Sequence, residues 1–383
     1  MKPFYLAKRK LQLVPAAIIL IAMAVSTQIC AQSITTIDAP GAGTGPNQGT
    51  TTLDINAAGT IIGFSRDANN VRHGFTRSRD GTFTMFDAPG AGTAPGQGTR
   101  AYSVNAIGTG TGFFTDSLNT AHGYVRSNQG VITVFDAPGA GTGPNRGTFP
   151  YNSTQLINPN GVITGYYVDS AFVLHGFVRD ENGAVTTFDA PGAGTAAGQG
   201  TQSFAISPGG EITGFYFDGT DAVHGFLRDK NGVITTFDLP GAGTGFHEGT
   251  YGGGFTPDGS ILGVLIDADF VNHGFVLDKH GAVTIFDAPN AGTGFNQGTL
   301  PWDINTSGTT AGWYVDNANV NHGFVRDEHG AIVEFDVPGN FGAWAAIAPN
   351  GAVTGFYKGA NDVFHGFLRE ADRRLGLAKL ERP

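Results

Sequence analysis

The sequence has one cysteine, three tryptophans and few charged residues. Cys30 ends the N-terminal apolar segment, so a chain cleaved just behind it would have neither a disulfide nor a thiol nucleophile. The Gly-rich segments lack the Gly-Lys-Ser/Thr ending of a nucleotide-binding loop, which excludes a phosphate site of that type. We therefore expect neither thiol chemistry nor nucleotide binding.

Positive charge is the scarcer sign, with 22 Lys and Arg against 32 Asp and Glu. Residues 1–31 hold four of the basic residues and no acidic one, so without them 18 basic residues face 32 acidic ones, a net charge of −14. Nucleic acids and anionic membranes bind basic surfaces. The mature chain is therefore expected to bind neither.

Residues 1–31 have the pattern of a secretory signal peptide. Lys2, Lys8, Arg9 and Lys10 precede an apolar run over residues 11–25, and Ala31 supplies a small residue for cleavage. A retained membrane anchor is the alternative, but a polar break at residues 26–28 makes the run short for a membrane span. We predict an exported protein, periplasmic or extracellular.

The rest of the chain is a sevenfold repeat rich in glycine and phenylalanine. Each unit contains a His-Gly-Phe or His-Gly-Tyr strand and, in most units, a Phe-Asp-x-Pro strand. The histidines are His73, His122, His175, His224, His273, His322 and His365, and the aspartates are Asp38, Asp87, Asp136, Asp189, Asp238, Asp287 and Asp336. Successive histidines are 49, 53, 49, 49, 49 and 43 residues apart. A period near 49 is typical of a four-stranded repeat unit.

This pattern predicts an all-β fold, a seven-bladed β-propeller of four-stranded antiparallel blades over residues 32–370. Asn-Gly and Asp-Gly turns separate strands three and four, and the second and fourth strands are so apolar that both faces of each sheet should be covered. A terminal strand at residues 34–38 would complete the last blade by pairing with residues 365–369. A β-solenoid is the alternative, and residues 371–383 form a charged tail.

The Ile-Asn-x-x-Gly, Ile-x-Gly-Phe-Tyr and His-Gly-Phe elements resemble the HAF-type repeats of bacterial secreted proteins, named for a His-Ala-Phe triplet. In this chain the middle residue is Gly in all seven copies. The resemblance covers residues 33–369. It implies export and a propeller-like array, and it implies no catalytic residues.

The repeated polar residues favour structural roles. We expect each His ring to satisfy a backbone group, because equivalent histidines on separate blades are too far apart to share a metal ion. Six units carry an Asp six residues before the His, and it should cap its own loop. Weak calcium binding is the alternative, at Asp218 with Asp221 and at Asp267 with Asp269.

A ligand site is more readily expected where the repeat is broken. Trp302 and Trp344 occur in the last two units, while His247 and Glu248 replace the usual Asn-Gln or Gly-Gln pair and precede Tyr251. Aromatic residues near loops suit stacking on a sugar or anchoring a protein. Trp313 replaces a Phe or Tyr of other units and is expected in the core.

We therefore predict a secreted, monomeric, non-enzymatic binding or scaffolding protein, multivalent for carbohydrate or protein ligands. Near-identical units suit repeated weak contacts made strong by avidity. Acid-base catalysis needs carboxyl groups in different environments, and the repeat supplies no outstanding pair. A propeller-type glycoside hydrolase or lyase is the alternative.

Overall fold

The computed structural model describes residues 33–371, so the predicted signal peptide and nearly all of the charged tail lie outside the described residues. Within that range the chain forms 28 β-strands and no helix, which confirms the all-β prediction. Accordingly, no helix of this range could cross a membrane.

Strand β1 (Ile34–Ile37) is followed by 27 strands that hydrogen-bond to one another in consecutive groups, here called units one to seven. Unit one contains β2 (Gly49–Ile55), β3 (Ile61–Arg66), β4 (Arg72–Arg77) and β5 (Phe83–Phe86). Unit two contains β6 (Gly98–Val104), β7 (Gly110–Thr115), β8 (Ala121–Arg126) and β9 (Ile132–Phe135). Unit three contains β10 (Gly147–Phe149), β11 (Ile163–Val168), β12 (Leu174–Arg179) and β13 (Val185–Phe188).

The remaining units repeat this order of strands. Unit four contains β14 (Gly200–Ile206), β15 (Ile212–Phe217), β16 (Val223–Arg228) and β17 (Ile234–Phe237). Unit five contains β18 (Gly249–Phe255), β19 (Ile261–Ile266), β20 (Asn272–Leu277) and β21 (Val283–Phe286). Unit six contains β22 (Gly298–Ile304), β23 (Thr310–Val315), β24 (Asn321–Arg326) and β25 (Ile332–Phe335). Unit seven contains β26 (Asn340–Ile347), β27 (Val353–Lys358) and β28 (Phe364–Arg369).

Glycine and aromatic residues face one another across the second and third strands of every unit. In unit four Gly214 lies opposite Phe226, whose ring is fully buried. A ring laid over a cross-strand glycine covers backbone that would otherwise be exposed. The equivalent pairs are Gly63 and Phe75, Gly112 and Tyr124, Gly165 and Phe177, Gly263 and Phe275, Gly312 and Phe324, and Gly355 and Phe367.

The turn residues behave as their sequence predicts, but the fourth strands do not. Gly81, Gly183 and Gly232 adopt φ values of 92° to 100° in the turns before strand four, a conformation that glycine reaches without strain. The prediction that strand four is covered on both faces is wrong, because at least one of its two middle residues is exposed in every unit, as Thr133 and Val134 show in β9. The β-branched residues of strand four are there because they favour an extended backbone, so their presence does not indicate that the strand is buried.

Most neighbouring units are joined by the same parallel contact, which links units one to six in sequence. The first residue of the third strand pairs in parallel with the first residue of the next unit's first strand, as Arg72 does with Gly98. The same contact joins Phe364 of unit seven to Gly49 of unit one. Strand β1 pairs antiparallel with β28, placing Ile37 opposite Gly366.

The first strands of the units converge on a shared centre. Tyr102 of unit two lies 5.9 Å from Trp344 of unit seven, and both pack with Leu53 of unit one and Leu156 of unit three in one buried cluster. Units two and seven are not neighbours in the chain, yet they touch here. The hydrophobic core therefore lies at this centre as well as between the sheets.

Candidate functional site

All three tryptophans of the chain lie together where the first strands converge. The Trp302 ring lies 4.3 Å from Trp344 and 5.3 Å from Trp313, measured between ring centroids. Phe204 of unit four meets Trp302 edge to face at 5.5 Å. Such ring pairs attract each other beyond the effect of buried area. The tertiary structure thus joins residues that the sequence places in three units.

Two of these tryptophans belong to the core. Trp344 is 5% exposed, and its indole N–H donates a hydrogen bond of 2.5 Å to the carbonyl oxygen of Leu53. Trp313 is 6% exposed, which confirms its predicted place in the core. Trp302 is only partly buried, because one side of its ring faces a cavity.

This cavity has a volume of about 290 Å³ and lies beside Trp302, lined mainly by residues of units four, five and six. Its aromatic wall consists of Phe204, Phe215, Tyr251, Trp302 and Trp313. The remaining wall is aliphatic or glycine, apart from the amides Asn152 and Asn272, and it includes no charged side chain. Apolar walls with a few polar groups are typical of small-molecule sites.

The cavity exists because unit five lacks an aromatic residue that every other unit has. On the second strand, opposite the Gly of His-Gly-Phe, unit five carries Val264. The other units carry Phe64, Phe113, Tyr166, Phe215, Trp313 and Phe356 at this position. Val264 was not among the site residues predicted from the sequence. Aligning the Ile-x-Gly-Phe-Tyr segments of the seven units would have revealed it.

A glycine at the bulge of the first strand leaves unit five with still less side-chain volume beside the cavity. The bulge residue there is Gly253, whereas four other units place a large side chain at this position. Those side chains are Leu53, Tyr102, Phe204 and Trp302. The missing rings of unit five together leave the space beside Trp302.

The neighbouring Gly254 lies against unit three, where residues 148–155 contain the four extra residues behind the 53-residue spacing of the histidines. Gln155, at the end of that insertion, accepts a hydrogen bond of 2.8 Å from the backbone N–H of Phe255 through its Oε1. A Cβ atom at Gly254 would lie 3.2 Å from the Gln155 amide nitrogen, closer than most real contacts. The extra residues of unit three and the glycine at position 254 of unit five are therefore complementary, since they form one contact between the two units.

Among the predicted site residues of unit five, only Tyr251 lines the cavity. Its ring lies 4.7 Å from Phe215, its hydroxyl donates a hydrogen bond of 3.0 Å to the His247 carbonyl oxygen, and burial raises its pKa to about 12. Glu248 accepts the backbone N–H of Gly245 at 2.8 Å, as glutamines do in other units. His247 and Glu248 thus shape the loop beside the cavity, and their side chains lie outside its lining.

The prediction for the repeated histidines is wrong, since their rings bond to carboxylates and not to backbone groups. In all seven units His Nδ1 lies 2.6 to 3.1 Å from the Asp of the fourth strand. In unit seven that partner is Asp38, which follows β1. In six units Nε2 lies 3.4 to 3.7 Å from the Asp six residues earlier. In these units, one imidazole therefore lies between two carboxyl groups. One belongs to the Asp in the loop after the second strand, and the other to the Asp that follows the fourth strand.

The prediction that the Asp before each His caps its loop is confirmed. Asp267 Oδ1 accepts the backbone N–H groups of Asp269 and Val271 at 2.9 and 2.8 Å, and Asp218 makes the same pair of bonds. Asp221 instead accepts from the side-chain amide of Gln199. Within residues 33–371 no cluster of three or more His, Cys, Asp or Glu could hold a metal ion, so the geometry gives calcium at these aspartates no support.

Two carboxyl groups that the sequence did not single out are buried among the first strands. Asp54 accepts the backbone N–H of Val104 in the next unit at 2.7 Å, and Asp303 accepts that of Ile347 at 2.9 Å. Burial raises the pKa of Asp303 to about 6. Burial and the charge of Asp303 raise the pKa of Asp54 well above its usual range. Each carboxyl group thus forms a hydrogen bond between two neighbouring units.

We expect the protein to be more stable at about pH 5 than at about pH 8. A hydrogen bond to Asp136 raises the pKa of His122, although burial of the ring acts in the opposite direction. For His273 and His322 burial lowers the pKa, but their Asp partners raise it by more, so the net shift is upward. This stabilisation is complete below the unfolded pKa of about 6.5 and is lost as pH rises through the folded value. Asp54 and Asp303 act in the same direction, because their folded forms retain protons that the unfolded chain releases.

Urea unfolding across this pH range measures the effect. Asp303→Asn keeps the shape of the side chain but cannot ionise. The fall in unfolding free energy from about pH 5 to about pH 7 should therefore be smaller in this variant. Below about pH 4 the trend should reverse. Burial raises the pKa of Asp218 and Asp267, but their hydrogen bonds together lower it by more, and capping bonds lower the pKa of Asp316 as well. Stability that is flat or rises from acid to alkaline conditions would contradict the prediction.

No family model and no curated protein match the chain. Among solved structures, a puromycin hydrolase matches with a TM-score of 0.50 and 14% identity, covering 81% of this chain and 50% of its own. The BP39L lectin from Burkholderia pseudomallei matches at 0.49 with 12% identity, covering 84% and 97%. The Aleuria aurantia lectin matches at 0.41 with 10% identity, covering 83% and 91%.

These similarities concern fold. This chain spans half the length of the puromycin hydrolase, and at 14% identity that match shows architecture alone. The lectin matches are weaker still and carry no argument about ligands. The chain is an all-β repeat protein with β-propeller proteins among its structural neighbours.

Proposed function

We propose that the chain is an exported, non-enzymatic binding protein, built as a closed seven-bladed β-propeller, that takes a carbohydrate or protein ligand at the cavity beside Trp302. Closure is supported by the contact of Phe364 with Gly49, which repeats the contact between other neighbouring units, and by the pairing of β1 with β28. The pattern of residues 1–31 and the HAF-type repeat support export.

The observation that carries the proposal is the break in the repeat at unit five. Restoring the aromatic residue of the other units at Val264 would fill the space, and the chain instead keeps a cavity of about 290 Å³ lined by five aromatic rings. Empty apolar volume is unfavourable for stability. A cavity of this size admits one sugar ring or one side chain of a protein ligand.

The lining supports binding over bond cleavage. General acid-base catalysis requires titratable groups within reach of the substrate. Tyr251 is the one ionisable side chain of the wall, and its pKa is raised by burial. The two buried carboxyl groups Asp54 and Asp303 accept hydrogen bonds from backbone N–H groups and lie outside the lining.

Val264→Phe is expected to weaken ligand binding and to stabilise the fold. The added ring restores the residue type of the other units, so the unfolding free energy should rise by about 1 kcal/mol as the cavity fills. Any ligand that binds the wild type once per chain should lose at least about tenfold in affinity. Calorimetric titration of hits from a panel of glycans and blocked amino acids measures this.

Val233→Phe is the matched control, because Val233 is 63% exposed on a turn of unit four and the chemical change is identical. It should leave affinity unchanged. Ligands that bind both variants as tightly as the wild type would place the site elsewhere. Turnover of a glycan by the purified protein would favour a hydrolase or lyase.

A second candidate is multivalent binding at the repeated His-Asp clusters. The cluster of unit six borders an open polar cleft lined by Tyr314, Asp316, His322, Glu334 and Asp336. Equivalent His-Asp contacts recur in all seven units, and weak sites repeated in this way gain strength through avidity. Several ligands bound per chain, all insensitive to Val264→Phe, would favour this candidate.

A further inference from the structure

We propose that the group entering the cavity beside Trp302 is an uncharged aromatic ring system of one or two fused rings. This inference rests on the proposed function and narrows its ligand. Among carbohydrate and protein ligands, it favours an aromatic group over a sugar ring.

The size of the cavity sets the first limit. An apolar protein cavity of about 150 Å³ binds benzene. The volume beside Trp302 is about 290 Å³, which leaves room for a second fused ring. Larger ring systems would extend beyond this volume and away from its aromatic walls.

The walls set the second limit. Phe215, Tyr251 and Trp302 offer ring faces and edges to a bound ring, and such pairs are favourable when stacked or edge to face. Leu300 and Val264 supply further apolar contact. A charged group would lose its hydration without an opposite charge, because no Asp, Glu, His, Lys or Arg lines the cavity.

The scarcity of free hydrogen-bonding groups separates an aromatic ring from a sugar. The wall has the amides of Asn152 and Asn272, the Tyr251 hydroxyl and the indole N–H groups of Trp302 and Trp313. The Trp302 indole N–H is buried without a hydrogen-bond partner among the described residues, so it can donate one bond to a ligand, whereas Asn272 and Tyr251 already donate within the protein. The Asn272 amide donates to the Gln297 carbonyl oxygen at 2.8 Å, and the Tyr251 hydroxyl donates to that of His247. A pyranose would bury several hydroxyl groups here with few partners, and each unpaired hydroxyl weakens binding. An aromatic ring carries no such cost.

The test uses 2-naphthol, its charged analogue 2-naphthoate and methyl glucoside as probes of the full chain. Since Trp302 and Trp313 line the cavity and Trp344 touches Trp302, tryptophan emission reports occupancy, and calorimetry gives affinity. We expect 2-naphthol to bind at least about tenfold more tightly than either other probe, one per chain. Val264→Phe should remove its binding, and Val233→Phe should retain it.

Two results would overturn the inference while leaving the proposed function intact. One is methyl glucoside binding more tightly than 2-naphthol in a manner sensitive to Val264→Phe. The other is equal affinity for 2-naphthoate and 2-naphthol. If 2-naphthol does not bind, the aromatic class is wrong. If no ligand of any class responds to Val264→Phe, the proposed site is wrong as well.

A free aromatic molecule and an aromatic side chain of a polypeptide share the same chemistry. Competition with blocked tryptophan amide distinguishes the two sources. Displacement of 2-naphthol would identify a protein side chain as an acceptable occupant. Binding of 2-naphthol without displacement would assign the cavity to a free small molecule.

Discussion

Ile37→Asp is expected to lower the free energy of unfolding by about 4 kcal/mol. Ile37 is 3% exposed on β1 and packs with Ile55 and Phe75 of unit one and Ala346 of unit seven. A carboxylate there would be buried without a partner. Since folded domains are stable by only about 5 to 15 kcal/mol, a loss of this size should be plain in urea or thermal unfolding.

Thr35→Asp supplies the control, because Thr35 lies on the same strand with its side chain exposed. It should cost less than about 1 kcal/mol. The comparison also tests the proposed closure, in which β1 completes the last unit by pairing with β28. Equal and small effects of both substitutions would mean that β1 contributes nothing to the folded domain, and the closed ring would then be untenable.

Gly214→Ala is expected to destabilise the protein by about 3 kcal/mol. A Cβ atom at this position would overlap the carbonyl oxygen of Gln202 and lie 2.9 Å from the Phe226 ring. Backbone of the neighbouring strand cannot move away without breaking the ladder between β14 and β15, and the Phe226 ring is fully buried. The strain therefore remains in the folded state, and the urea midpoint should fall.

Gly219→Ala, in the loop of the same unit, is the matched control. An added Cβ atom would meet no atom within 4 Å there, and the backbone does not need positive φ. This substitution should be neutral or stabilise the fold slightly by restricting the unfolded chain. A Gly214→Ala variant as stable as Gly219→Ala would show that the rings covering the cross-strand glycines are loosely packed.

The local structure was largely predictable from sequence. The His-Gly-Phe segments, the Asp-Gly and Asn-Gly turns and the apolar runs define the hairpins, because strand propensity and turn chemistry act between residues close in the chain. The loop-capping role of Asp218 and Asp267 followed in the same way. The pattern failed for the fourth strand, whose β-branched residues lie exposed at the outside of each unit.

The candidate site was predicted only in part. Trp302 and Tyr251 line the cavity, whereas Trp344 lies buried behind Trp302 and the side chains of His247 and Glu248 belong to a loop. Val264 escaped notice because a valine in a strand is unremarkable by itself. It becomes informative only when the register aligns it with the six aromatic residues of the other units.

The sequence by itself determined the repeat, the order of strands within each unit and the turns that join them. Only the tertiary structure decided that Gln155 reaches Phe255 and that the three tryptophans gather beside one cavity, whereas the pairing of residues 34–38 with residues 365–369 was predicted from the repeat and is confirmed. The physical reason is the range of the interactions. Propensities and turns act over a few residues, whereas packing joins side chains hundreds of positions apart, and their relative placement follows from how the sheets stack.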